Sequence, residues 1–320
     1  MSQYPLKNKF AFVNFFRHPS FLSFLKALVF ILLCWFIADR LFLRNDFKTQ
    51  WNFFLQNIKP QNFYLLLLAV LLMPLNWTLE TWKWKILIQS KSSFGNLLKG
   101  IIAGITLGFV TPARSGEFIG RVMYLEEDDK AKVFYLSSIG GIAQSVATLM
   151  AGVFFVALWR TDALLIGLTI GVGVAFMLVY FRFDFFNRFI SSIPFLQKYN
   201  LVIDNDALPE IDVQLKVLLF SFVRLAVYLL QYVLLLLFFG VGDNFFALVV
   251  HTGVFLVALT FSPLLPFLDF SYRGSLALYI FSNFSNNIIG ILSAVTFVWL
   301  LNLVLPAVIG YFFILKKKTV

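Results

Sequence analysis

Two short charged segments interrupt a chain that is otherwise strongly apolar. Residues 111–117 read TPARSGE, and residues 269–274 read DFSYRG. Charged side chains are costly at membrane depth, so helix-breaking segments that carry them normally line a cavity or a substrate path. An arginine can also hold two phosphate oxygens through parallel hydrogen bonds. The two segments therefore indicate a site for a phosphate-bearing group.

The first segment is expected to end one helix and to begin another. Pro112 removes a backbone donor and Gly116 relaxes the backbone, so the helix should break between them. Arg114 and Glu117 are three residues apart and can pair once a helix resumes, with Arg121 one turn further on the same face. A helix that begins after such a break also offers free N–H groups to an anion.

The second segment repeats this arrangement of charges, because Asp269 and Arg273 are four residues apart and can pair on a helix. The candidate substrate-binding residues are Arg114, Glu117, Arg121, Asp269, Arg273 and, inside an apolar stretch, Arg224. The candidate turn residues are Thr111, Pro112, Gly116, Pro263 and Gly274. The alternative is that each ion pair only locks its own turn.

Composition places the chain among polytopic α-helical membrane proteins. Of its 320 residues, 60% are hydrophobic and 13% are charged, whereas a soluble domain carries roughly 25% charged residues. The net charge of +10 fits lysines and arginines that flank membrane spans rather than a nucleic-acid surface. His18, His251 and Cys34 form no cluster with ligand spacing, so no metal and no cofactor are predicted.

Six apolar stretches are long enough to cross about 30 Å of hydrocarbon. They are residues 22–43, 63–85, 131–158, 163–181, 214–239 and 286–314. The first is too long for a signal peptide and is taken as an uncleaved span. Basic residues follow the second, fourth and sixth spans, which predicts a cytoplasmic (inner) membrane protein with both termini cytoplasmic. Residues 51–58 and 183–200 are expected to lie along the membrane interface.

Two shorter apolar limbs, 94–110 and 244–262, leave the topology open. Each is either an ordinary span, which makes eight spans, or the first limb of a re-entrant hairpin that turns at Pro112 or Pro263. Eight spans would place the basic residues of 182–198 outside, so the charge rule favours two re-entrant hairpins.

The two halves of the chain share one layout. Glu80 precedes Pro112 by 32 residues, and Gln231 precedes Pro263 by 32. The chain is therefore predicted to be a single integral membrane domain, 1–320, with internal repeats at about 63–160 and 214–315. With six spans the repeats are inverted, an architecture that places substrate sites at the repeat interface.

Other polar residues inside the apolar stretches carry weaker signals. Glu80 and Lys83 lie near the inner end of their span and are predicted to pair at the membrane interface. Three amide side chains, Asn76, Gln144 and Gln231, are predicted to form hydrogen bonds between helices.

The segment from Pro112 to Arg121, entered by a short apolar limb and followed by a long span, resembles the lysylphosphatidylglycerol synthase transmembrane region, also called the flippase-like family. The resemblance covers about residues 22–315. Asp269, Arg273 and Gly274 resemble the family's second motif, although Leu264 and Leu265 replace its usual glycine pair.

The resemblance implies movement of phospholipids or polyprenyl-phosphate-linked lipids between leaflets, without an enzymatic activity. Arginines of the two re-entrant turns would hold the headgroup, and the partners would be membrane lipids. The protein partner would be a second copy of the chain, as a homo-oligomer, or an envelope enzyme. Two other functions stay open at this point. One of the two is an accessory or scaffold subunit of a cell-envelope enzyme. The other is a membrane glycosyl- or prenyl-transferase.

Overall fold

The computed structural model describes residues 31, 35, 37–39, 47–111, 114–125, 130–182, 209–261, 266–283 and 285–318. Most of the predicted first span, Pro112, Pro263 and the predicted interfacial segment 183–200 lie outside these residues. Within them, the chain forms helices joined by short connections and has no strand. The protein is therefore all-α, as its composition predicts.

The helices, numbered along the chain, are α1 Phe47–Asn57, α2 Phe63–Ile88, α3 Phe94–Val110, α4 Gly116–Met123, α5 Lys130–Trp159, α6 Ala163–Phe181, α7 Ile211–Phe238, α8 Phe245–Thr260, α9 Pro266–Phe281, α10 Ile288–Trp299 and α11 Leu305–Lys318. A 3₁₀ turn, Pro60–Asn62, precedes α2, and a π-helical segment, Leu300–Val304, joins α10 to α11.

Among the described residues, five helices are long and apolar enough to cross a membrane: α2, α5, α6, α7 and the continuous α10–α11. They coincide with the last five predicted spans. The chain is a multi-pass membrane protein. The limbs α3 and α8 have 17 and 16 residues, which is about 25 Å of helix and is less than the hydrocarbon thickness.

The long helices bury polar residues and expose apolar ones, as expected in lipid. On α2, Leu67 and Leu71 are more than half exposed, whereas Asn76, Glu80 and Lys83 are buried. A charged residue in a spanning helix is costly unless it faces other protein groups. The buried face of α2 is therefore the face that can carry chemistry.

Helices α3 and α4 fold back on each other as the first hairpin. Gly104 lies beside Gly120, and Gly108 lies beside Glu117, so residue numbers rise on one helix as they fall on the other. A Cβ atom on Gly120 would lie 2.1 Å from the Gly104 nitrogen. Small residues at such an interface let two backbones approach closely in a membrane.

Helices α8 and α9 form the second hairpin. The Tyr272 hydroxyl donates a hydrogen bond to the Ala258 carbonyl at 3.0 Å, and the rings of Phe255 and Phe281 lie 5.9 Å apart. Helix α9 runs without interruption from Pro266 to Phe281. The segment 269–274, predicted as a turn, is therefore helical, because proline suits the start of a helix and the charges that follow pair along it.

Helices α2 and α7 pack against each other at the centre of the molecule, where Ala69 faces Gln231 and Asn76 faces Arg224. This register makes the two helices antiparallel. Each hairpin limb also packs against the last long helix of the other half, α3 against α11 and α8 against α5. The residues between α2 and α7 are thus shared by both halves of the chain.

Candidate functional site

Glu80 is the centre of a buried group of charges. It lies eight residues before the end of α2 at Ile88, about 12 Å along the helix axis. Lys83, one turn later, places its Nζ atom 2.8 Å from Glu80 Oε2. The same ammonium donates to the Gly140 carbonyl of α5 at 3.1 Å. Lys83 is only 1% exposed, so its charge must be balanced inside the protein.

Arg121 reaches Glu80 from the first hairpin. Its Nη2 atom donates to Glu80 Oε1 at 2.8 Å, and its guanidinium lies 4.9 Å from the centre of the Trp84 ring. The close contact of Gly104 and Gly120 fixes α4, the return helix of the first hairpin, against α3. Arg121 directly follows Gly120, so this contact also positions Arg121. Its Nη1 atom is buried and has no hydrogen-bond partner in the described part of the chain. One donor of this guanidinium is therefore unused.

Arg224 brings the second half of the chain to the same carboxylate. Its Nη1 atom donates to Glu80 Oε2 and to Gln144 Oε1 at 3.3 Å. Its Nε atom donates to Asn76 Oδ1 at 2.9 Å. The Arg224 side chain is 21% exposed, so this is the most open side of the group.

Glu80, Lys83, Arg121 and Arg224 form what we term the Glu80 cluster. It holds three cations and one carboxylate. Among the described residues, the cluster therefore has two positive charges in excess. Buried charges without balance are costly. A cluster with this excess and an unused guanidinium donor is suited to an anion.

A chain of amide hydrogen bonds leads away from the cluster toward the opposite end of α2. Asn76 donates to Asn302 at 3.3 Å, Asn302 donates to Gln231 at 2.7 Å, and Gln231 donates to the Ala69 carbonyl at 2.8 Å. Asn302 lies in the π-helical segment Leu300–Val304, and such segments are frequent at functional sites. Asn76 and Gln231 bond between helices as predicted, and Gln144 does so through the Ser221 carbonyl.

The predicted pair Arg114–Glu117 forms at the turn of the first hairpin, with 2.7 Å between Arg114 Nε and Glu117 Oε1. The Arg114 side chain is half exposed. The Gly116 nitrogen donates to Thr111 Oγ1 at 2.7 Å. Thr111 and Gly116 thus both take part in the helix break between α3 and α4. Arg114 has φ of 54°, in the left-handed region that a non-glycine residue seldom adopts.

The predicted pair Asp269–Arg273 also forms, with 2.8 Å between Asp269 Oδ2 and Arg273 Nε. Arg273 Nη1 donates to the Tyr232 hydroxyl of α7 at 3.4 Å. A cavity of about 220 Å³ borders Arg273, and its other lining residues are largely apolar, among them Phe270, Leu292 and Trp299. Gly274 lies in α9 against Ile37 and Leu292 and is not a turn residue.

Arg121, which the sequence places on the same face as Glu117, turns toward Glu80, because the close α3–α4 packing presents that side of α4 to α2. Glu80 and Lys83 pair as predicted, but the pair is buried inside the protein and is shared with two arginines from other helices. The available signal was a carboxylate and a lysine three residues apart late in an apolar span, since such residues normally face a bundle interior.

The sequence profile of the family described as Lysylphosphatidylglycerol synthase TM region matches residues 23–279. The chain belongs to this family. A comparison with curated proteins gave no match.

As a lysylphosphatidylglycerol synthase TM region, the chain is a lipid-related membrane protein. The matched residues contain the whole Glu80 cluster and the Asp269–Arg273 pair. They end before Asn302, so the π-helical end of the amide chain lies beyond the match.

Proposed function

We propose that this protein moves an anionic, phosphate-bearing lipid between the two leaflets of the membrane. The headgroup binds at the Glu80 cluster, and the hydrocarbon chains stay in the bilayer. The observation that carries this proposal is the buried excess of cations where α2 and α7 meet, with one guanidinium donor unused.

The arrangement of the hairpins supports a pathway from one side to the other. In this proposal each hairpin enters the membrane and returns to its own side, and the two repeats are inverted copies. The short limbs α3 and α8 and their matching contacts with α11 and α5 agree with that symmetry. Substrate sites in such proteins lie between the repeats near the midplane, and the Glu80 cluster joins residues of both.

Arg114 and Arg273 are the headgroup contacts that the sequence predicts, and they have different parts in the proposal. Arg114 already pairs with Glu117 at the start of α4, and Arg273 pairs with Asp269 of its own helix. Arg114, half exposed and in the turn that precedes α4, makes the first contact with an arriving headgroup. Arg273 mainly holds the second hairpin in place through Asp269 and Tyr232.

The proposal includes the cytoplasmic membrane, with both chain ends cytoplasmic, and no bond-making step. Of the three lysines that follow the second span, Lys83 is buried in the Glu80 cluster and does not support this orientation. Lys85 and Lys91 remain to face the cytoplasm.

The test is a leaflet-specific assay on liposomes that contain the purified chain. Acyl-labelled phosphatidic acid, phosphatidylglycerol and phosphatidylcholine are placed in both leaflets, and an impermeant quencher reports the outer fraction with time. We expect quenching of the inner-leaflet anionic lipids in liposomes with protein and none in protein-free liposomes. The variant Lys216→Gln, which removes an exposed cation, serves as control and should move lipid at the wild-type rate.

An absence of lipid movement by well-folded protein would contradict the proposal. It would favour a scaffold role, in which the charged hairpins dock an envelope enzyme. Conversion of the labelled lipid into a new species would instead favour a transferase.

A further inference from the structure

We propose that Glu80 is a built-in substitute for the phosphate group, and that an arriving phosphate monoester displaces it from Arg121 and Arg224. This inference rests on the proposed lipid site and goes further, because it names the headgroup chemistry and the residue that leaves. In this proposal, the Glu80 carboxylate competes with the substrate for the two arginines and does not bind them permanently.

The contacts of Glu80 resemble those that a phosphate would make. One carboxylate oxygen accepts from Arg121 and the other accepts from Arg224 and Lys83. These are charge-assisted hydrogen bonds, and those from Arg121 and Arg224 come from planar guanidinium groups, which suit carboxylate and phosphate alike. A phosphate has additional oxygens, so it can also accept from the unused Arg121 Nη1 atom.

The charge balance identifies the headgroup class. The Glu80 cluster carries two positive charges in excess, and a phosphate monoester carries about −1.5 to −2 at neutral pH. A monoester would therefore nearly neutralise the cluster, whereas a diester with one negative charge would leave about one positive charge. A zwitterionic headgroup would bring no net charge.

Displacement leaves no charge alone. Lys83 lies on the same helix as Glu80, three residues later, and its Nζ atom is 2.8 Å from Glu80 Oε2. The carboxylate can therefore keep Lys83 while both arginines turn to the phosphate. After the lipid departs, Glu80 again binds the arginines, which prevents the cluster from holding the headgroup too tightly.

Equilibrium binding to the detergent-solubilised full chain tests the exchange. The probes are dioctanoyl phosphatidic acid, dioctanoyl phosphatidylglycerol, dioctanoyl phosphatidylcholine and inorganic phosphate. Binding is measured by calorimetry and by tryptophan fluorescence, because Trp84 lies against Arg121. The Trp84→Phe variant should lose the part of the fluorescence change that comes from the cluster.

Two variants should change the affinity in opposite directions. Glu80→Gln removes the competing charge, and we expect it to bind the monoester about tenfold more tightly, as for the loss of one opposing charged hydrogen bond. Gln144→Glu adds a carboxylate beside Arg224 Nη1 and should bind about tenfold more weakly for the same reason. Asp212→Asn removes an exposed carboxylate and is the control for Glu80→Gln, with unchanged affinity expected.

The inference is overturned if Glu80→Gln binds phosphatidic acid no more tightly than the wild type. Should that variant fail to fold, Gln144→Glu decides alone, and unchanged affinity there overturns the inference. Equal binding of phosphatidic acid and phosphatidylcholine would also overturn it. Inorganic phosphate that binds as tightly as phosphatidic acid would identify free phosphate as the ligand. Binding with these shifts but without lipid movement in liposomes would refute the transport proposal and leave the phosphate site standing.

Discussion

The first and second hairpins have similar sequence layouts and different electrostatics. Each follows a long helix with a short apolar limb and then a charged return helix. In the first hairpin, the Arg121 side chain points away from α4 and binds Glu80 of α2. Arg224 of α7 binds the same carboxylate. In the second, Arg273 stays with Asp269 of the same helix.

Packing explains this difference. The return helix of the first hairpin has eight residues and lies against glycines of α3, which bring it close to the centre of the protein. The return helix of the second has 16 residues, and on it Arg273 keeps Asp269 as its partner. The first therefore contributes to a cluster with excess positive charge, and the second makes a balanced pair. Two hairpins with matched sequence layouts can therefore differ in what their charges do.

The largest contrast is expected between Arg121→Gln and Arg273→Gln. Without Arg121, Glu80 keeps Lys83 and Arg224, so stability should change little. Movement of anionic lipid should fall about tenfold to a hundredfold, the value of one or two lost charged hydrogen bonds. Without Arg273, Asp269 loses the cation of its own helix at a cost of about 3 kcal/mol. The transport rate of the folded fraction should stay within about threefold of the wild-type rate, which corresponds to a change of less than about 1 kcal/mol.

Thermal unfolding in detergent and transport in liposomes, measured on both variants, check this contrast. The reverse pattern, with Arg273 essential to transport and Arg121 essential only to stability, would show that the functional site lies in the second hairpin.

A smaller effect is expected from Gly120→Ala, which acts on the packing of the first hairpin alone. The added Cβ atom would overlap the α3 backbone at Gly104, and such overpacking costs about 1–3 kcal/mol. Because Arg121 follows Gly120, transport should fall with stability. Gly141→Ala on α5 is the matched control, since a Cβ atom there meets nothing within 4 Å. Equal stability of both variants in thermal unfolding would contradict the close contact of α3 and α4.

The smallest effects are expected at Arg114. Arg114→Gly removes the cost of a left-handed backbone, about 1–2 kcal/mol, and loses an exposed ion pair worth about 0.2–1 kcal/mol. The melting temperature should therefore stay the same or rise slightly. Arg114→Lys keeps the charge but loses the paired donors of the planar guanidinium. The transport rate should therefore fall about threefold, which corresponds to less than about 1 kcal/mol. Transport by Arg114→Lys at the wild-type rate would make Arg114 a residue of the turn only.

Helices and local ion pairs could be predicted from the sequence because they depend on residues close together in the chain. Apolar stretches of sufficient length predict spans, and charges three or four apart predict the pairs Arg114–Glu117 and Asp269–Arg273. The segment 269–274 is a helix rather than the predicted turn, because Pro266 begins α9 and the Asp269–Arg273 pair along it offsets the low helix propensity of Gly274.

The Glu80 cluster could not be predicted, because its members come from three helices and lie up to 144 residues apart. Their meeting depends on the antiparallel register of α2 and α7 and on the close approach of α4. Glycines 100, 104 and 108, spaced by four on α3, carry the signal for that approach. Nothing local to Arg121 or Arg224 shows which carboxylate they bind.

The central claim is that the Glu80 cluster recognises an anionic headgroup, and headgroup selectivity measures it most directly. Labelled phosphatidic acid and phosphatidylcholine should be followed in the same liposomes, first with the wild type and then with Arg121→Gln. The account predicts that the wild type moves phosphatidic acid much faster than phosphatidylcholine, and that Arg121→Gln loses most of this preference. An unchanged preference in Arg121→Gln, or no preference in the wild type, would contradict it.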